Sequence, residues 1–118
     1  MKKAVIIIRS NLYRKTVEEL EKKGFYAFSS VNVLGRGNMR VEFSIADGSL
    51  LNDIKGTHRF MTKKMIIVYI NDDDEALLAE TVIKLNRTGQ QGDGKIFIIP
   101  VNRAVRLRTG EENEDVLV

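Results

Sequence analysis

Twice along this chain a short, β-branched apolar run is followed by an amphipathic helical stretch and then by another apolar run. That pattern constrains the fold more than any other feature, because period-2 and period-3.6 stretches are not interchangeable. The first strand is expected from Lys3 to Ile8, an unbroken apolar run of the kind buried on both faces. Ser10 stands as N-cap for a helix from about Leu12 to Lys23, with Tyr13, Val17 and Leu20 on one face and Gly24 at C′. A second strand follows from about Tyr26 to Leu34, ending at Gly35-Arg36-Gly37. The third strand is Met65 to Ile70. The second helix starts in Asp72-Asp73-Asp74-Glu75, where acidic groups complement the N-terminal partial charge. Leu78, Val82 and Leu85 form its stripe, Lys84 and Arg87 suit its C-terminal end, and Gly89 is expected to terminate it. Ile96 to Val101 is the fourth strand.

The resulting order predicts an α+β fold, a ferredoxin-like βαββαβ sandwich with an antiparallel four-stranded sheet, as a single domain over residues 1–118. Two helices cover one face of such a sheet. The strands read apolar on both sides, so the other face is expected to be covered by self-association. Between the second and third strands lies a long connection, about residues 36–60, in which Met39, Val41, Phe43 and Ile45 alternate with polar residues. Connections of this length inside a compact domain are uncommon and usually either functional or partly disordered.

Composition narrows the partners. No apolar run approaches the ~18 residues of a membrane span, so no membrane insertion is expected. Lys2-Lys3 before Ala-Val-Ile-Ile-Ile is read as a first strand, since the run stops at Arg9 with no small-residue cleavage site after it. The chain has no Cys, hence no disulfide or thiolate metal site, which suits a cytoplasmic location. A net charge of +3 with dispersed basic residues points to a small anionic ligand and not to nucleic acid.

One segment carries the chemistry of anion binding. Thr88-Gly-Gln-Gln-Gly-Asp-Gly-Lys95 combines small residues, whose amides can approach an anion, with a cation, and Arg106-Leu-Arg-Thr-Gly-Glu111 follows closely. Gly89-x₄-Gly94-Lys95 mimics a Walker A loop, yet Ile96 stands where Ser or Thr should reach Mg²⁺. The flanks are also reversed, helix before and strand after. The bland alternative is a helix-to-strand turn with solvated charge.

With these residues in view, the chain resembles the nitrogen regulatory P-II (PII) signal-transduction family over essentially its whole length. The resemblance rests on Thr88-Gly-Gln-Gln-Gly-Asp-Gly-Lys-Ile-Phe97, matching the family's B-loop (about 88–95), and Val105-Arg-Leu-Arg-Thr-Gly-Glu111, matching its C-loop (about 103–111). The opening Met1-Lys-Lys and the Gly-x-Gly at 35–37 fall where the family has them. The resemblance implies a homotrimer with ATP or ADP in each inter-subunit cleft, and makes residues 36–60 the T-loop that binds target proteins. Carried over by position, Gly92, Asp93, Gly94 and Lys95 would hold the phosphates from one side of the cleft, Thr88 and Gly89 would belong to the same nucleotide site, and Arg106 and Arg108 would arrive from the neighbouring subunit. Ile7 and Ser29 would border the nucleotide, with Gly35, Gly37 and Asn38 at the T-loop base.

The T-loop departs from the family pattern. The Gln that helps hold Mg²⁺ and 2-oxoglutarate is Met39 here, and a thioether is a poor ligand for a hard cation. The usual preceding Arg is Asn38, whereas Lys63 matches the family Lys that meets the 2-oxoglutarate carboxylate. ATP is therefore better supported than 2-oxoglutarate. Residues 36–60 contain no Tyr, so nucleotidylation on tyrosine has no acceptor there. Gly35-Arg36-Gly37 and Arg59-Phe60-Met61-Thr62-Lys63 look closer to the nitrogenase-associated branch. Arg40, Val41, Phe43, Ile45 and His58 would be the target-binding residues; His58, the only His, has no recognisable metal or catalytic partner nearby. The expected targets are nitrogenase, a transporter or a nitrogen-metabolism enzyme. No catalytic residue is assigned and no enzyme activity is expected, because no Ser/Thr reaches the metal and no carboxylate is placed against the loop. A ferredoxin-like RNA-binding module would need an aromatic platform that the strands lack. Tyr13 and Tyr69 are read as packing residues, and the acidic tail from Glu111 as solvated.

Overall fold

A computed structural model of the chain describes residues 1–36 and 60–117. Its elements run β1 (Lys2–Arg9), α1 (Tyr13–Lys22), β2 (Phe28–Arg36), β3 (Phe60–Ile70), α2 (Glu75–Asn86) and β4 (Gly94–Pro100). Short 3₁₀ turns at Ser10–Leu12 and Asp72–Asp74 lead into the helices, and a third closes the chain at Asn113–Leu117. The four strands form one sheet in the order β2-β3-β1-β4, with all three pairings antiparallel. This is the ferredoxin-like βαββαβ sandwich expected from the pattern.

Strand alternation divides the sheet into two faces. Ala4, Ile6 and Ile8 of β1 and Ile66, Val68 and Ile70 of β3 are buried beneath the helices, meeting Leu20 of α1 and Leu78 and Val82 of α2. The intervening β1 residues Lys3, Val5 and Ile7 are only half-buried, so within one protomer the first strand is not covered on both sides. On this open face Val31, Tyr69, Phe97 and Ile99 are 44 to 50 % exposed. Tyr69 is thus no packing residue of the single chain. Tyr13 is one: its hydroxyl meets Ser30 Oγ at 2.7 Å and Lys64 Nζ sits 4.7 Å from its ring centre.

The helices meet through a polar contact that the hydrophobic stripes do not reveal. Buried Asn86 donates to Thr16 Oγ1 at 3.1 Å and to the Val82 carbonyl at 2.9 Å, while Thr16 donates to the Leu12 carbonyl.

Several helix ends differ from expectation for local reasons. Ser10 lies in a 3₁₀ turn and caps nothing; Leu12 occupies the N-cap without a side-chain bond. Gly24, at φ +96°, does end α1. The Phe25 amide reaches the Leu20 carbonyl and the Gly24 amide the Glu21 carbonyl, a Schellman closure with Phe25 and Leu20 both in the core. Helix α2 stops at Asn86, three residues before Gly89, because Arg87 is already extended. Asp72 does more than complement α2: its carboxylate takes the Met1 ammonium at 2.9 Å.

Strand β3 begins at Phe60 and not at Met65, and β2 continues to Arg36, so the two close a ladder down to the Arg36–Phe60 pair. Gly37, Asn38, Met39, Arg40, Val41, Phe43, Ile45 and His58 lie outside the described residues.

Candidate functional site

The register gathers cations at one end of the open face. Arg9 pairs with Lys63 across β1 and β3, and Ile7 pairs with Lys95 across β1 and β4. Alternation therefore puts Ile7, Arg9, Lys63 and Lys95 on the same side of three adjacent strands. Gly35, opposite Met61 on β2, lies towards the same end. Ser29 is set apart: it pairs with Ile67, level with Val5, about 10 Å across and ~7 Å along the sheet from Ile7.

The loop from Thr88 to Asp93 folds against these cations. Asp93 is its hub, accepting from the Thr88 amide (2.7 Å), the Thr88 hydroxyl and the Gly89 amide (3.0 Å). Arg9 Nη1 meets the same carboxylate at 2.5 Å, and Arg9 Nη2 donates to the Gln91 carbonyl at 2.9 Å. Lys63 Nζ donates to the Gly92 carbonyl. The Thr88 hydroxyl and amide, with Arg9 and the Gly89 amide, hold the Asp93 carboxyl well below the usual carboxylate range. Burial first, and then neighbouring Arg9, push the Lys63 ammonium below the ordinary lysine value, while Asp93 acts the other way.

These ties decide which way the loop amides point. The described peptides are all trans, so each N–H points away from the carbonyl of its own peptide plane. With the Gln91 and Gly92 carbonyls drawn to Arg9 and Lys63, the Gly92 and Asp93 amides turn away from the sheet. Gly92 (φ +91°) and Gly94 (φ +116°) supply the conformations this path requires. Gly94 also lies directly on β1: a Cβ there would stand 2.0 Å from the Ile7 carbonyl oxygen. Beside the loop, a cleft of about 450 Å³ opens between α2 and β4, with Val82, Ile83 and Ile96 in its wall and Asp93 and Lys95 at its lining.

The predicted loop residues thus come together, but with divided roles. Asp93 organises the loop with its side chain, and the donors left facing outward are backbone amides. Arg9, which belongs to neither sequence motif, is the residue that fixes Asp93. Its signal in the sequence is its register: it lies two residues from Ile7 on the same face and ends the strand with a cation.

Arg106 and Arg108 stand on a separate hairpin. The Arg106 amide bonds the Glu111 carbonyl, the Gly110 amide bonds the Arg106 carbonyl, and Val105 bridges to Glu112. The Arg106 guanidinium is held by Glu111 at 3.0 Å and the Asp115 carbonyl at 3.2 Å, whereas Arg108 is exposed on the turn. Glu111 and Glu112 are exposed, as the solvated reading expects, but each holds a surface ion pair: Glu111 with Arg106, and Glu112 with Arg103 at 2.5 Å. Leu107, between the two Arg, is 97 % exposed. Among the described residues no cluster of metal-ligating side chains is present.

Comparison with known proteins agrees with this architecture. A family model described as nitrogen regulatory protein P-II matches residues 1–111. The chain is 40 % identical to a "Nitrogen fixation nifHD region GlnB-like protein 2" of Methanothermobacter marburgensis, over 99 % of this chain and 100 % of that one. It is 34 % identical to "Nitrogen regulatory protein P-II 2" of Methanothermobacter thermautotrophicus, over 97 % and 95 % respectively. Among solved structures, GlnK of B. subtilis superposes with a TM-score of 0.77 at 27 % identity, over 98 % of this chain and 97 % of that one. With its B-loop and C-loop motifs and its ferredoxin-like fold, this chain belongs to the nitrogen regulatory protein P-II family.

Proposed function

We propose that this protein is a non-enzymatic regulator of nitrogen fixation that binds ATP or ADP in clefts between the subunits of a homotrimer and acts on a protein target through the T-loop. The observation that carries this reading is the 88–95 loop, whose Gln91 and Gly92 carbonyls are tied to Arg9 and Lys63 and which runs into Lys95 of β4 at the end of an open apolar face. Amides in such a concavity, backed by a cation, suit a phosphate chain. A second subunit would bring Arg106 and Arg108 and cover Val31, Phe97 and Ile99 at once. The link to nitrogen fixation rests on the similarity to relatives named for nifHD regions. Nitrogenase is accordingly the first target to test, before a transporter or another nitrogen-metabolism enzyme.

Nucleotide state would reach the target as a population shift, to the extent that ATP and ADP differ in affinity for the loop's alternative arrangements. Mg²⁺ would be held through the phosphates, since no side-chain cage is available to it among the described residues. 2-Oxoglutarate is a weaker candidate: Lys63 already serves the Gly92 carbonyl, and Met39 replaces the family Gln. Action in the cytoplasm is part of the same reading. No described helix is long and apolar enough to cross a membrane.

Calorimetric titration of the purified protein with ATP and ADP, alongside light scattering for its mass, tests this reading. The expected result is micromolar-range binding by a trimer with no steady-state ATPase activity. Absence of binding by the assembled protein, or hydrolysis at ~10 s⁻¹ typical of enzymes, refutes it.

A further inference from the structure

We propose that Arg9 is a positioning residue for the anion-binding loop, acting through Asp93 and the Gln91 carbonyl without touching the phosphates itself. This inference rests on the nucleotide reading above and adds a residue that neither the B-loop nor the C-loop motif contains. The two Arg9 nitrogens are directed at two points of the loop, 82 and 84 residues away in sequence. Nη1 holds the Asp93 carboxylate, which in turn collects the Thr88 and Gly89 amides and the Thr88 hydroxyl. Nη2 holds the Gln91 carbonyl, which turns the Gly92 amide outward.

The chemistry of the pair favours a latch over direct contact. Asp93 is a carboxylate and would repel a phosphate, so its value to the site lies in ordering the loop. Arg9 is the matching cation, and the side chains of both are only 21 % exposed. A planar guanidinium can serve two acceptors in fixed directions, which a lysine ammonium does with less geometric control. Lys63 supplies a second, independent tie at Gly92, so losing Arg9 loosens the loop without releasing it.

The test is calorimetry on the full-length protein with ATP, ADP and adenosine, for wild type, Arg9→Met, Arg9→Lys, Asp93→Asn and the Arg9→Met/Asp93→Asn double variant. Arg9→Met should weaken ATP and ADP about tenfold, the order seen when a supporting partner of a binding group is removed, and leave adenosine unchanged. Arg9→Lys should recover part of the loss. The double variant should be no worse than the weaker single variant, because both break one latch. Equal weakening of adenosine, additive losses, or a fall in the salt dependence of ATP binding in Arg9→Met would overturn the positioning role. That last outcome would make Arg9 a direct phosphate contact.

Hydrogen exchange at the Thr88 and Gly89 amides separates this inference from the reading beneath it. Faster exchange in Arg9→Met supports the latch, and unchanged exchange overturns it, whether or not nucleotide binds. If wild type binds no ATP, the nucleotide reading fails, and with it the role in the site. Circular dichroism and elution volume, expected to match wild type, confirm that each variant is folded.

Discussion

Replacing Gly94 by Ala tests the close approach on which the loop-to-strand junction depends. The new Cβ would lie 2.0 Å from the Ile7 carbonyl oxygen, 3.1 Å from its carbon and 3.2 Å from the Ile8 Cα, all backbone atoms. Real Cβ contacts essentially never fall below 3.0 Å, so the new Cβ and the Ile7 carbonyl oxygen must move apart by about 1 Å, against backbone on both sides. The strain enters the ladder at the Ile8–Gly94 pair, and the adjoining Ile7–Lys95 pair carries the candidate phosphate-binding lysine. Overpacking of this kind costs about 1–3 kcal/mol. Holding a non-glycine residue in an unfavourable backbone region adds roughly 1–3 kcal/mol. A total of roughly 2–6 kcal/mol is a large share of the ~5–15 kcal/mol stability of an ordinary domain.

Gly24→Ala is the control. Gly24 also has positive φ, +96°, but nothing lies within 4 Å of the point where its Cβ would stand. That variant should lose only the backbone term, about 1–3 kcal/mol. Urea unfolding at one fixed protomer concentration, because association contributes to apparent stability, should place the Gly94→Ala midpoint well below that of Gly24→Ala. On the proposed nucleotide reading, ATP binding should weaken as well, since Lys95 adjoins the strained pair. Equal midpoints for the two variants would refute the steric argument.

Two further outcomes follow from other parts of the molecule. The hydrogen bond from the Met1 ammonium, opposed by partial desolvation and reinforced by the charges of Met1 and Lys2, holds the Asp72 carboxyl below its ordinary value. The unfolded chain therefore binds the proton more readily, and the contribution is present above the unfolded carboxylate value of about 4 and lost as pH falls through the lower folded value. Wild type should melt above Asp72→Asn at neutral pH, with the gap closing under acid; a gap unchanged to about pH 2 contradicts the linkage. Phe97→Glu places a charge on the open sheet face, where Phe97 is 49 % exposed in one protomer. If this face is the one covered in the proposed trimer, light scattering should show a lower mass; an unaltered mass would show that this face is not the one covered.

The order of strands and helices was legible because hydrophobic period reports directly on which residues must leave water. What periodicity concealed were the residues whose partners are polar. Phe60 to Lys64 did not read as strand, yet Lys64 lies on the Tyr13 ring and Lys63 on the Gly92 carbonyl, so two lysines extend β3. Ser10 and Gly89 had the right chemistry for helix ends, but the chain turns into α1 through a 3₁₀ segment and leaves α2 at Arg87. Capping depends on local dihedrals that composition only permits.

The sequence by itself determined the fold class and the family, through apolar periodicity and the paired motifs at 88–97 and 105–111. It also marked the glycines of the loop, since few other residues follow such a path. Only the tertiary structure decided how that loop is held. Arg9 and Asp93 are 84 residues apart and meet because antiparallel pairing of β1 with β4 brings the end of one strand to the start of the other. The same register sets Lys63 opposite Arg9 and turns the Gln91 and Gly92 carbonyls inward, leaving amides outward. No local pattern encodes that direction, because it is set by cations supplied from two other strands.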